Sequence, residues 1–169
     1  MLPDEIVAGD ARLREILSES VKEVDAREGS ILILTADETA LRFLVCDSPA
    51  AEQLIGTEQP LGKGVTGLAC SLQQPMVVND VAGEGEGAIF DDTVDKKLGA
   101  RTESIMVVPL ASPEREYGAL TAINTVRKEG FTAADLERYL DAAEEITLRL
   151  EELEHEHGKL PGGDEGSFG

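Results

Sequence analysis

Cys46 and Cys70 are the chain's only thiols, and both sit inside apolar stretches. A reactive thiol needs a cation or a general base beside it. The two histidines, His155 and His157, lie far along the chain near its C-terminal end, so no Ser-His-Asp or Cys-His arrangement can be read. Two thiols make neither a disulfide framework nor a zinc site, and a buried Cys ordinarily serves as a small hydrophobe. His155-Glu156-His157 puts its imidazoles at alternate helix positions, which do not share a face, so no metal site is expected. Asp91-Asp92-Thr93-Val94-Asp95, with Glu84 and Glu86, lacks the alternate-Asp, central-Gly, distal-Glu register of a calcium loop and reads as a solvated acidic lid. Gly62-Lys63-Gly64-Val65-Thr66-Gly67 spells G-x-G-x-x-G, but Gln59-Pro60-Leu61 precedes it rather than a strand, and Gly follows Lys63 rather than Ser or Thr. A tight turn is expected there, not a phosphate cradle. Arg101, leading Thr102-Glu103-Ser104, could grip an anion with two parallel hydrogen bonds or pair with Asp91, Asp92 or Asp95. Asn124 faces a similar choice between ligand contact and capping a turn, with the turn favoured.

The elements that must position these groups belong to one domain, since 169 residues suit one and crowd two. Hydrophobic residues at 41% are enough for a buried core. Fifteen Lys and Arg against 34 Asp and Glu give a net charge of −19, which repels phosphates and argues against nucleic-acid and anionic-membrane partners. Aromatics at 4% with no Trp argue against a base-stacking platform. No apolar run reaches the ~20 residues of a membrane span, and Met-Leu-Pro-Asp-Glu at the start suggests no signal peptide. Free thiols suit a reducing cytoplasm.

Ile6, Leu13, Ile16, Leu17, Val21 and Val24 recur at helical spacing, which predicts a helix over 4–26, firm over about 10–26 with Asp10 as N-cap. Strands follow over 30–35 and 40–46, joined by a polar turn, then a short helix from Ser48 to Leu54. The glycine-rich bend leads into a small helix over 66–72, and Met76 to Asn79 is a strand. Residues 81–100 are acidic and glycine-rich, the expected mobile stretch of the domain. Ser104–Leu110 and Tyr117–Thr125 form a second hairpin, with Gly118 marking a bulge or a close backbone approach. Thr132 caps a last helix over 132–157, and Asp135 suits its positive end. Leu136, Tyr139, Ala143, Ile146, Leu150, Leu153 and His157 alternate at threes and fours, a heptad seam that calls for a partner. Residues 158–169 read as a disordered tail. Hairpin-joined strands with helices at both ends give an α+β domain around an antiparallel sheet.

The landmarks together resemble the GAF domain, a small-molecule-binding and dimerisation module of signalling proteins. The likeness runs from about Asp10 to Glu152, through Pro60-Leu61-Gly62-Lys63-Gly64-Val65-Thr66-Gly67, Gln74-Pro75-Met76-Val77-Val78-Asn79-Asp80-Val81, and Ser104-Ile105-Met106-Val107-Val108-Pro109-Leu110. It continues through Tyr117-Gly118-Ala119-Leu120-Thr121-Ala122-Ile123-Asn124 and Phe131-Thr132-Ala133-Ala134-Asp135-Leu136. The resemblance implies a GAF-like (PAS-like) antiparallel sheet, its terminal helices on one face and a pocket on the other, roofed by residues 54–100. Residues 1–157 then form a single domain, with a core over 30–131. Family members put cyclic nucleotides, bilins, haem, amino acids, oxo-acids or nothing in that pocket, so no cofactor is assigned.

Several subfamilies are tested residue by residue. In the Asn-Lys…Phe-x-x-x-Asp-Glu pattern of cyclic-nucleotide binders, Asn124, Phe131 and Asp135 match, but Thr125 and Leu136 replace the Lys and Glu. The Lys–Asp ion pair is therefore expected to be absent, which counts against a cyclic nucleotide. Neither the Cys–His pairing of bilin binders nor an axial His for haem is present, and two cysteines are few for a methionine sulfoxide reductase.

The resemblance implies ligand contacts at Cys70, Asp80, Phe90, Asp91, Arg101, Thr102, Ser104 and Asn124. It implies a homodimer through Leu13, Ile16, Val21, Tyr139, Ile146, Leu150 and Leu153. The expected function is non-catalytic sensing, with a small-molecule ligand and a separate output protein as partners. A scaffold with a vestigial pocket and a small redox enzyme using Cys70 are the alternatives.

Overall fold

The computed structural model describes residues 2–80 and 102–157. Six strands form one sheet in the order β3-β2-β1-β6-β5-β4, every neighbouring pair antiparallel. They are β1 (Ala26–Leu34), β2 (Ala40–Asp47), β3 (Glu58–Pro60), β4 (Met76–Val78), β5 (Ile105–Ala111) and β6 (Glu116–Thr125). The described helices are α1 (Asp4–Ala8), α2 (Ala11–Glu23), α3 (Ala51–Leu54), α4 (Gly64–Leu72) and α5 (Ala133–His157).

The central strand β1 begins at Ala26, inside the stretch expected to end the first helix. The reason is tertiary. Ala26 pairs with Thr125 and Glu28 with Ile123, so β6 recruits four residues whose own preferences are not strand-like. The helix ends at Glu23, and Asp25 takes a left-handed φ of 53° to turn the chain. Its start matches expectation: the Asp10 carboxylate accepts from the Leu13 N–H at 2.9 Å. Gly9 separates it from the short α1.

Strand alternation divides the core. On one face α2 and α5 pack through Leu13, Ile16, Leu17, Val21, Tyr139, Ala143, Ile146, Leu150 and Leu153 against Ile31, Met106, Val108 and Leu120. Arg149 reaches from α5 to Asp10 with two hydrogen bonds, 2.8 and 3.1 Å, joining the two helices. On the other face α3 and α4 bring Leu54, Val65, Ala69 and Cys70 down onto Leu32, Phe43, Ile105, Val107 and Ala119.

This arrangement corrects the interface assignment. Leu13, Ile16, Val21, Tyr139, Ile146, Leu150 and Leu153 are all buried within the single chain. The three-and-four spacing of α5 marks the face that covers the chain's own sheet, because a helix lying across a sheet needs the same stripe as a helix in a coiled coil. The outward face of α5 instead exposes Leu140 and Leu148.

Gly118 is a close approach, as its position suggested: a Cβ there would run into the Leu32 carbonyl oxygen on β1. The glycine-rich bend closes on itself, with the Gly62 N–H donating to the Gly67 carbonyl at 3.0 Å.

Candidate functional site

The face of the sheet under α3 and α4 carries a short polar row at its centre. Ser30 on β1 lies opposite Cys46 on β2 and opposite Thr121 on β6. Alternation puts all three on the side of Leu32, Ala119 and Ile123. Burial holds the Cys46 thiol above its ordinary pKa, and neighbouring Ser30 works to lower it. Thr121 is 2% exposed, and its Oγ1 has no hydrogen-bond partner. One step along the same face Glu28 accepts from Ser48 Oγ at 2.8 Å. The half-buried apolar residues Met76, Val78 and Ile123 flank this row. The adjacent strands β2, β1 and β6 thus present thiol, hydroxyl and hydroxyl on an apolar floor, with a carboxylate at its edge.

The residues expected to touch a ligand are only partly brought together. Cys70 is buried on α4, and its thiol donates to the Gly118 carbonyl at 3.3 Å. Burial, aided by the Glu116 charge, pushes this thiol up to about 12, so it stays protonated at neutral pH. Burial raises Cys46 as well. Thr102 and Ser104 are buried, and Ser104 Oγ accepts from the Thr125 N–H at 3.2 Å. Asn124 adopts a φ of 61°, and its Oδ1 accepts from the N–H groups of Glu103 (2.6 Å) and Ser104 (3.1 Å). Its carbonyl end is therefore spent on holding the start of β5 against the end of β6. Asp80 is exposed just beyond β4. Phe90, Asp91 and Arg101 lie outside the described residues, as does the rest of the expected acidic lid. Ser30, Thr121 and Glu28 were not among the expected contacts. Their signal is subtle: each is a polar residue in the inward register of an otherwise apolar strand.

A sequence profile described as the GAF domain matches residues 9–150. The chain belongs to the GAF domain family. Solved structures share the fold at low identity. The second GAF domain of DevS from Mycobacterium smegmatis is 14% identical over 85% of this chain and 94% of that one, with a TM-score of 0.67. The GAF domain from a phosphoenolpyruvate-protein phosphotransferase of Coxiella burnetii is 14% identical over 88% and 95%, with a TM-score of 0.68. Free methionine-R-sulfoxide reductase from Neisseria meningitidis, solved with its substrate, is 19% identical over 85% and 87%, with a TM-score of 0.62. A comparison with curated protein sequences finds no match.

The Lys of the cyclic-nucleotide pattern is replaced by Thr125, but Asp135 still has a cation: Arg127, two positions further on, pairs with it. Arg127 Nη2 lies 2.7 Å from Asp135 Oδ1, and Arg127 also reaches Asp25 and the Val24 carbonyl. Asp135 closes a reciprocal cap with Thr132, accepting its N–H at 2.8 Å while Thr132 Oγ1 accepts the Asp135 N–H at 3.2 Å. This pair fastens the β6–α5 connection and touches no part of the polar row.

Among the described residues, hollows lie away from the polar row at two places. One of about 800 Å³ sits between α1, the β5–β6 hairpin and the end of α5, lined by Leu2, Val7, Arg115, Tyr117 and Glu154. The other, of about 480 Å³, lies at the sheet end and is lined by Arg27, Asn79, Ser104, Asn124, Arg127 and Lys128. Among the described residues no group of three or more His, Cys, Asp or Glu could hold a metal ion. No described helix is long and apolar enough to cross a membrane.

Proposed function

We propose that this GAF domain is a non-catalytic sensory module of the cytoplasm that binds a small molecule on the α3–α4 face of its sheet. The family is one of signalling and sensing domains, and the reading specific to this chain rests on one observation. Thr121 is buried at the centre of that face with an unsatisfied hydroxyl. A buried hydroxyl without a partner is costly, and a bound group that completes it recovers that cost. The surrounding apolar residues supply the contact area of an ordinary ligand site. The high pKa of Cys70 and the protonated Cys46 argue against redox or nucleophilic work. Output passes to a separate protein.

We further propose that two copies pair through the outward face of α5, where Leu140 and Leu148 stand two helical turns apart. Native mass spectrometry of gently purified protein tests both halves at once. The expected spectrum shows a dimer carrying a small-molecule adduct, lost or reduced in Thr121→Val. A bare monomer, together with no stabilisation by nucleotides, amino acids or oxo-acids in a thermal-shift screen, would sink the reading and favour a scaffold.

A further inference from the structure

The polar row has at its edge a carboxylate, Glu28, that no cation among the described residues pairs with. Glu28 is half-buried on the α3–α4 face, and among the described residues its carboxylate accepts from the Ser48 hydroxyl alone. Other carboxylates have taken guanidinium partners: Asp4 and Glu58 share Arg42, Asp10 and Glu152 share Arg149, and Asp25 and Asp135 share Arg127. Among the described residues no Lys or Arg pairs with Glu28.

Register fixes what stands near it. Glu28 and Ser30 are successive inward residues of β1, and Thr121 and Ile123 face them from β6. Directly opposed side chains in such a pair lie about 5 Å apart and diagonal ones about 7–8 Å. That is the span one ammonium bridges, with about 2.8 Å to each oxygen. An ammonium has three donors and no acceptor. Glu28 can take one and the unsatisfied Thr121 oxygen another. Beyond the oxygens the half-buried Met76, Val78 and Ile123 offer apolar surface to a hydrocarbon portion, and none of these flanking residues carries a cation for an anion.

We propose that the ligand of this face carries a protonated amine on an apolar body, with Glu28 as its counter-ion and Thr121 as its hydrogen-bond acceptor. This rests on the ligand-binding reading above. It is tested by titrating the full chain with butylammonium, 1-butanol and butyrate at constant ionic strength, following the amide signals of Glu28, Ser30 and Thr121 by nitrogen-15 NMR. The expected order is butylammonium about tenfold or more tighter than butanol, with butyrate weakest, the gap of a charge-assisted hydrogen bond. Glu28→Gln should bring butylammonium down to the butanol level, whereas Glu52→Gln, exposed on α3, should leave the order intact. Equal binding of butanol and butylammonium overturns the amine but leaves a ligand-binding face. So does an unchanged preference in Glu28→Gln. Absence of localised shifts with all three probes overturns both readings.

Discussion

In the proposed site Thr121 sets stability against binding at a single oxygen. Its hydroxyl lies in the interior with no partner, which costs the folded state about 1–3 kcal/mol. Valine has nearly the same shape and no hydroxyl. Thr121→Val should therefore raise the stability of the ligand-free protein by about 1 kcal/mol, read as a higher urea midpoint at unchanged slope. A lower midpoint would mean that the hydroxyl already has a partner in the free protein. This residue shows why the site was hard to read in the sequence. Thr is at home in strands, and nothing local distinguishes a Thr facing a ligand from one facing water. The distinction needs the register Ser30–Thr121, which arises between residues far apart in sequence. Asn124 was more legible. Its type suits a left-handed turn, and that is how its side chain is used.

The helices show what local chemistry can and cannot announce. Asp10 and Thr132 were readable as caps because capping is a contact between near neighbours, and both caps form. The first four residues of β1 were not readable, since only β6 makes them a strand. The α5 stripe was readable as a buried face but not as to what buries it. Two aspartates tie these helices down and predict an acid dependence. The Arg149 hydrogen bond, working against desolvation, holds Asp10 below its ordinary 3.8. Burial works to raise Asp135, but Arg127 and the Thr132 N–H outweigh it, and its pKa is lowered too. A carboxyl lowered by folding adds stability that is whole above its unfolded pKa and is lost as pH falls through the folded one. Urea melts should therefore weaken below about pH 4, and Asp135→Asn should flatten part of that fall. An unchanged acid limb would show that the pair does not stabilise the fold. The hairpin between the two cores offers a second test. Gly118→Ala must push against the Leu32 backbone and should cost about 2 kcal/mol or more, seen as a lower thermal midpoint.

At the scale of the molecule, charge decides whether the proposed pairing of two copies occurs. Each chain carries −19, and the outward face of α5 adds Glu137, Asp141 and Glu144 around Leu140 and Leu148. Two such faces repel through water over roughly a Debye length, about 10 Å at 0.1 M salt and about 3 Å at 1 M. Two exposed leucines per copy give a modest apolar contact, so the repulsion decides whether pairing is seen. Association through this face should therefore strengthen as salt rises from 0.05 to about 0.5 M. Leu148→Glu should abolish it without lowering monomer stability, because Leu148 lies mostly in solvent. Sedimentation equilibrium across that salt series measures both. Dimerisation that weakens with salt would point to an interface held by ion pairs, such as one using Arg138 near the start of α5, and would move the contact off the leucines.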